Sequence, residues 1–251
     1  MRECIFCHEQ ASSREDAWPL WLMRYLPSNG SIEAERGGSS LSAWNSSTPN
    51  LKIRCVCKSC NNGWMSKLEN RVKPIVLGLI EGKLQSITSD AQSVLSIWAV
   101  KNAMVYENFY QERPRFYIDG KRHQLRIANV IPPRTSVWIA KCVNHPGAYT
   151  IAEDLRGPLS NGSGECNTYA TTMVFASLAL QVVSSRLSAV VPLETNVTTV
   201  LNKGQWDDIV VRIWPTTTEQ QNWPSTVGLN GLLGLDEFGE RFLVGNDNQD
   251  S

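Results

Sequence analysis

The stretch CVCKSCNNGW, residues 55–64, carries three cysteines in its first six positions, then turns polar and ends on a tryptophan. Its counterpart is CIFC, residues 4–7, at the front of the chain. A C-x-x-C turn folds two sulfurs toward one ion, and two such turns complete the tetrahedral shell that zinc favours. Cys4 and Cys7 supply one pair. For the second, Cys55, Cys57 and Cys60 are all close, and Cys57-x-x-Cys60 has the required spacing, which leaves Cys55 as a strand residue. His8, directly after Cys7, is an alternative ligand. In a chain without an export signal, paired cysteines read as a metal site before they read as disulfides. The first 75 residues hold few large aliphatics. So small a segment cannot fold on its own core, and a structural Zn2+ would supply the missing folding energy.

The whole chain sets wider bounds. Its 251 residues are 42% hydrophobic, ordinary for a globular protein and too apolar for general disorder. No apolar run of signal-peptide length opens the sequence, and the most apolar stretch, residues 173–183, is too short to span a bilayer. A cytoplasmic chain with no membrane partner is expected. Net charge is zero, which argues against a protein that merely coats nucleic acid. The charge is uneven, however. From Lys52 to Lys73 there are six basic residues against one acid, whereas from Gly204 onward there are two against eight. Lys52, Arg54, Lys58 and Lys67 thus gather beside the second cysteine pair, as a phosphate-facing edge would require.

The fold reads as α+β. Residues 1–75 form the zinc-binding module, with a short helix near Trp18–Leu26 and a strand over 51–60 leading into a helix over 62–70. Residues 28–50, rich in Ser, Gly and Asn, read as a long irregular excursion. Residues 76–251 read as a second, α+β domain, mainly antiparallel sheet with one long helix, whose motifs assign it no role. That helix is expected from an N-cap at Asp90 to Glu112, with an apolar stripe facing the core. Asp119-Gly120 between apolar runs predicts a hairpin. Residues 135–142, 148–154 and 208–214 are β-branched and aromatic and read as strands. Residues 169–183 fit strand or helix equally, and a short helix is expected near 228–242. Trp18, Trp21 and Trp64 suit the small core of a zinc knuckle better than a base-stacking platform.

Between the cysteine pairs stands Glu15-Asp16-Ala-Trp-Pro19. Together with Cys4-x-x-Cys7 and Cys57-x-x-Cys60-Asn61-Asn-Gly-Trp64, it resembles the HNH endonuclease family in its zinc-stapled, treble-clef form. The likeness covers residues 1–73. It implies a ββα module that hydrolyses DNA phosphodiester bonds through one divalent ion, Mg2+ or another, separate from the structural zinc. Carried over by motif, Glu15 is the metal-binding acid and Asn61 the helix-borne ligand. Asp16 falls where the family has its general-base histidine. A carboxylate accepts a proton far less readily than imidazole. The resemblance therefore also admits an inactive zinc module that binds nucleic acid or a protein partner. A phage-related or bacterial defence role is implied by the likeness alone.

Overall fold

A computed structural model describes residues 2–16, 18–25, 32–36, 52–83, 86–109, 114–144, 147–158, 165–187, 206, 208–217, 220–225 and 227–240. The fold is mixed α+β. Strand β1 (Ser13–Asp16) is followed by a 3-10 turn, Leu20–Tyr25, and by β2 (Ile32–Arg36). Next come β3 (Lys52–Val56), a one-turn α1 (Lys58–Cys60), a π-turn over Asn61–Met65 and α2 (Ser66–Ile80). After β4 (Ser86–Ile87) runs the long α3 (Ser89–Tyr106), then α4 (Asp119–Ala128). The sheet strands are β5 (Thr135–Val143), β6 (Ala148–Pro158), β7 (Glu165–Phe175), β8 (Leu178–Leu187) and β9 (Val210–Trp214). Two short strands, β10 (Gln221–Asn222) and β11 (Leu229–Asn230), precede α5 (Gly231–Glu240).

The large sheet is antiparallel through its centre, in the order β5-β8-β7-β6. Strands β2 and β11 join it in parallel, β2 on β6 and β11 on β5, and β9 pairs antiparallel with β5. Side chains alternate across it, as strand geometry demands. On β5, Val137 and Ile139 face the main core, while Trp138 and Ala140 face a second cluster with Leu235 and Phe238 of α5. Helices therefore cover both faces, with α3 on one and α5 on the other.

Helix α3 places the functional region. Its N-cap is Thr88, whose Oγ1 accepts from Ala91 N at 3.3 Å, and not Asp90. The expected stripe is instead a helix buried at every residue from Val94 to Tyr106, Ser96, Lys101 and Asn102 included, because α2 covers one side and β8 and β9 the other. Trp98 is fully buried between Trp21, at 6.4 Å between ring centroids, and Phe175 of β7, at 5.8 Å. Trp18 packs edge-on against Tyr106. One apolar cluster thus runs from Cys4 and Phe6 through Trp98 to Val182, and α2 passes through residue 75 without a break.

Two expectations fail for physical reasons. Asp119-Gly120 opens α4 and makes no hairpin. Asp119 sits in the helix's first turn, where a carboxylate opposes the dipole, and Arg122 and Leu125 turn inward from one face. Asn129, at φ 54°, closes the helix in the left-handed region. The excursion over 28–50 is not wholly irregular either, since Ile32–Arg36 pairs with β6; the remainder of that stretch lies outside the described residues. Residues 169–183, open between strand and helix, form most of β7 and β8 around a turn at Ala176, φ 51°.

Candidate metal centre

The first knuckle is a tight turn: Cys7 N and His8 N both donate to Cys4 O, at 3.4 and 3.1 Å. Ile5 N donates to Cys55 O at 2.9 Å and so ties this turn to β3. At the end of β3 the chain turns into α1, and Cys57 is the N-cap, its Sγ accepting from Cys60 N at 3.3 Å. The capping position and the ligand position coincide, so the helix start orients both sulfurs. The Sγ atoms of Cys4, Cys7, Cys57 and Cys60 all lie within 4.8 Å of one another, and Cys7 and Cys57 are 3.5 Å apart. Zn–S bonds of about 2.3 Å in a tetrahedron put sulfurs about 3.8 Å apart. The donor set fits a metal ion such as zinc. Phe6 and Trp64 meet edge-to-face beside it, at 5.0 Å between centroids.

The thiols titrate unequally. Burial pushes Cys57 up to about 11 and Cys60 higher still. Burial also raises Cys7, but hydrogen bonding at the Glu9 backbone and with Cys57, Cys60 and Cys4 outweighs it, and the net shift is downward. Ion binding must therefore expel protons from the buried members. Cys55 points into the core from β3, raised to about 12 by burial, and stands outside the cluster. Cys142 is buried in the second apolar cluster, as a small hydrophobe would be. His8 is exposed and lies 3.5 Å from Glu3, and it is not among the clustered ligands.

Strand β1 lies antiparallel to β3, with Glu15 opposite Ile53 and Asp16 opposite Lys52. Neighbouring residues on a strand face opposite ways. Glu15 turns inward and is 7% exposed. There its Oε1 meets Lys101 Nζ of α3 at 2.9 Å, while Glu69 Oε1 of α2 lies 3.6 Å from the same nitrogen. Lys101 is 1% exposed, and every residue of α3 around it from Val94 to Tyr106 is buried as well. Burial alone would lower its pKa, but Glu15 and Glu69 prevail and hold it above the usual lysine value. Asp16 pairs with Lys52 at 3.4 Å, and its pKa is raised by burial against the pull of Lys52. Asn61 Nδ2 donates to Ser13 Oγ at 2.8 Å and to Arg14 O at 3.2 Å, clamping the start of the helix to the strand that bears the two acids.

The carboxylates do not fit a divalent metal. A buried ammonium already occupies the space between Glu15 and Glu69. Among the described residues, the four cysteines are the one group of three or more His, Cys, Asp or Glu side chains whose ligand atoms converge. Among the described residues no histidine meets the two acids: His8 and His123 make no ion pair or hydrogen bond with Glu15 or Asp16, His123 Nδ1 lying 3.4 Å from Phe6 O, and His145 is outside the described residues. Lys52, Arg54, Lys58 and Lys67 are all exposed, and on β3 the two basic residues alternate with inward Ile53 and Cys55. Sequence reasoning missed Lys101. The signal was a lone lysine inside the apolar run WAVKNAMV, since lysine is almost never buried unless paired. No protein-family model, curated protein or solved structure matches this chain. No helix among the described residues is long and apolar enough to cross a membrane.

Proposed function

We propose that the first part of the chain is a zinc-stapled, HNH-like treble clef that binds DNA without cleaving it. The observation that supports binding over cleavage is Lys101, whose ammonium is paired with Glu15, the acid that a cleaving site would need for its divalent cation. Binding is supported by the exposed basic side chains of β3, α1 and α2 beside the four-sulfur centre. Zinc would be held by Cys4, Cys7, Cys57 and Cys60, and its chemistry is structural: it fixes β3 and α1 against the first knuckle, so the cations stand on a rigid edge.

Hydrolysis is the second reading. It is favoured by Asn61, which lies against the strand carrying Glu15 and Asp16, in the strand-strand-helix order of a ββα site. One pair of measurements separates the two. Fluorescence anisotropy with duplex DNA should show binding that weakens with salt, and Lys58→Gln and Lys67→Gln should each reduce the slope of log K against log salt by about 1. Supercoiled plasmid should remain intact in Mg2+ and in Mn2+. Absence of any binding at low salt defeats the proposal. Metal-dependent nicking that Asp16→Asn abolishes would establish the second reading in its place.

A further inference from the structure

Helix α4 divides into three sectors. Arg122 and Leu125 are buried and face the core. With about 3.6 residues per turn, Gly120, Gln124, Ile127 and Ala128 share the opposite crest, and all four are exposed, Ile127 at 61%. That crest carries no charge. Lys121 and Arg126 lie half-buried on its two flanks, with His123 on the Arg126 side. The acid of the helix, Asp119, sits in the first turn, about two turns before Arg126. Beyond Lys121 stands the exposed Arg186 of β8, its guanidinium 5.6 Å from the centroid of the Phe116 ring. Among the described residues, Lys121, Arg126 and Arg186 form no ion pair; Lys121 Nζ instead lies 3.4 Å from Gln124 Oε1, which brings a flank cation beside the crest amide. The helix is also registered on the cysteine cluster. His123 Nδ1 lies 3.4 Å from Phe6 O of the first knuckle, and Cys7 of that knuckle is 3.5 Å from Cys57, the residue before Lys58.

We propose that α4 enters the major groove of the duplex that the cations of β3, α1 and α2 would hold, an inference that rests on the DNA-binding reading. The major groove is about 12 Å wide and admits an α-helix. A helix seated there turns its crest to the base edges, which bear hydrogen-bonding groups and thymine methyls but no net charge, and its flanks to the two phosphate walls. An uncharged crest between two cationic flanks matches that order. Ile127 offers the crest an apolar contact for a thymine methyl, and Gln124 an amide for a base edge. Gly120 and Ala128 are small enough for close approach. An acidic protein surface would be met best by cations on the crest itself, where α4 has none.

Fluorescence anisotropy of the full zinc-loaded chain on a labelled duplex tests it. Lys121→Gln and Arg126→Gln should each lower the slope of log K against log salt by about 1. Ile127→Asp sets a carboxylate against the base edges from an exposed position, and should weaken binding at least about tenfold with an unchanged thermal melt. A duplex whose cytosines carry glucosylated 5-hydroxymethyl groups, which fill the major groove, should bind at least about tenfold more weakly than the plain one. Lys58→Gln and Lys67→Gln keep this inference separable from the DNA reading. If they weaken binding but Ile127→Asp matches the parent, or the filled duplex binds as well as the plain one, α4 stays out of the groove and the DNA reading stands. No binding of any duplex at low salt overturns both. Poly-glutamate bound as tightly as the duplex, and weakened equally by Ile127→Asp, would make the face a protein site and overturn the inference.

Discussion

Replacing Lys101 by Met should destabilise the protein more than any other single change at the carboxylate cluster. The side chain is 1% exposed and faces Glu15, whose side chain is 9% exposed, and Glu69, at 27%. Methionine roughly keeps the volume and deletes the charge. Glu69 can recover water; Glu15 cannot, and is left as a buried carboxylate without its cation. Breaking a buried pair in this way costs about 3–5 kcal/mol. For a chain of this size that is a fall in Tm of roughly 6–20 °C. Glu15→Gln should cost less, because Lys101 keeps Glu69. Glu69→Gln should cost least: burial raises the Glu69 pKa, so its contribution is present below the ordinary glutamate value and lost as pH rises, and little remains at neutrality. For Lys101 the folded pKa is raised above the ordinary 10.5, so its contribution is complete below that value and is lost as pH rises through the folded one. The parent should therefore lose stability in alkali in a step that Lys101→Met lacks. Thermal melts of zinc-loaded protein at pH 7 and across pH 9–12 measure both effects. A Lys101→Met variant as stable as the parent, or a Glu15→Gln/Lys101→Met double variant no more stable than Lys101→Met alone, would refute the reasoning.

Three further outcomes follow from the packing. Elemental analysis should find one zinc per chain, lost in Cys60→Ser and retained in Cys55→Ser; structural zinc is worth about 10–16 kcal/mol in small modules, so a strong chelator should unfold the first part of the chain. Arg122→Met strands Glu107, both side chains being fully buried, and should lower stability by about 3–5 kcal/mol in a urea titration. Trp98→Ala removes the ring between Trp21 and Phe175 and should cost about 3–5 kcal/mol, with faster release of zinc to a chromophoric chelator than from the parent.

What the sequence made legible was local. The cysteine pairs are readable because each C-x-x-C closes over two residues, and that spacing already set Cys57 apart from Cys55; the fold makes them a helix cap and a core residue of β3 respectively. Strands β5, β6 and β9 were readable from β-branched and aromatic content. Wherever a distant partner decides, the reading failed. Asp119-Gly120 carries a hairpin signature, yet Arg122 is drawn inward by Glu107, fifteen residues earlier, and the segment winds into a helix. Lys101 went unread because its partner Glu15 lies 86 residues away. Strand β2 was hidden in a Ser- and Gly-rich stretch because its pairing with β6 is long-range.

The charges beside the metal centre bear on what a nucleic acid would meet there. Glu15, Asp16 and Glu69 bring three carboxylates, Lys101 and Lys52 two ammoniums, so the cluster keeps one negative charge. A phosphate approaching it is repelled, and the repulsion is strongest where burial excludes water and lowers the local dielectric. Arg54, Lys58 and Lys67 are exposed and none of them enters that cluster. A duplex drawn by counterion release would track those cations and leave the acids behind. The lysine that pairs with Glu15 and Glu69 belongs to α3, which is packed between α2 and the large sheet. The electrostatics of the cysteine-stapled region therefore depend on α3, and on the proposed binding reading Asp16→His should give no metal-dependent nicking while Lys101 holds Glu15.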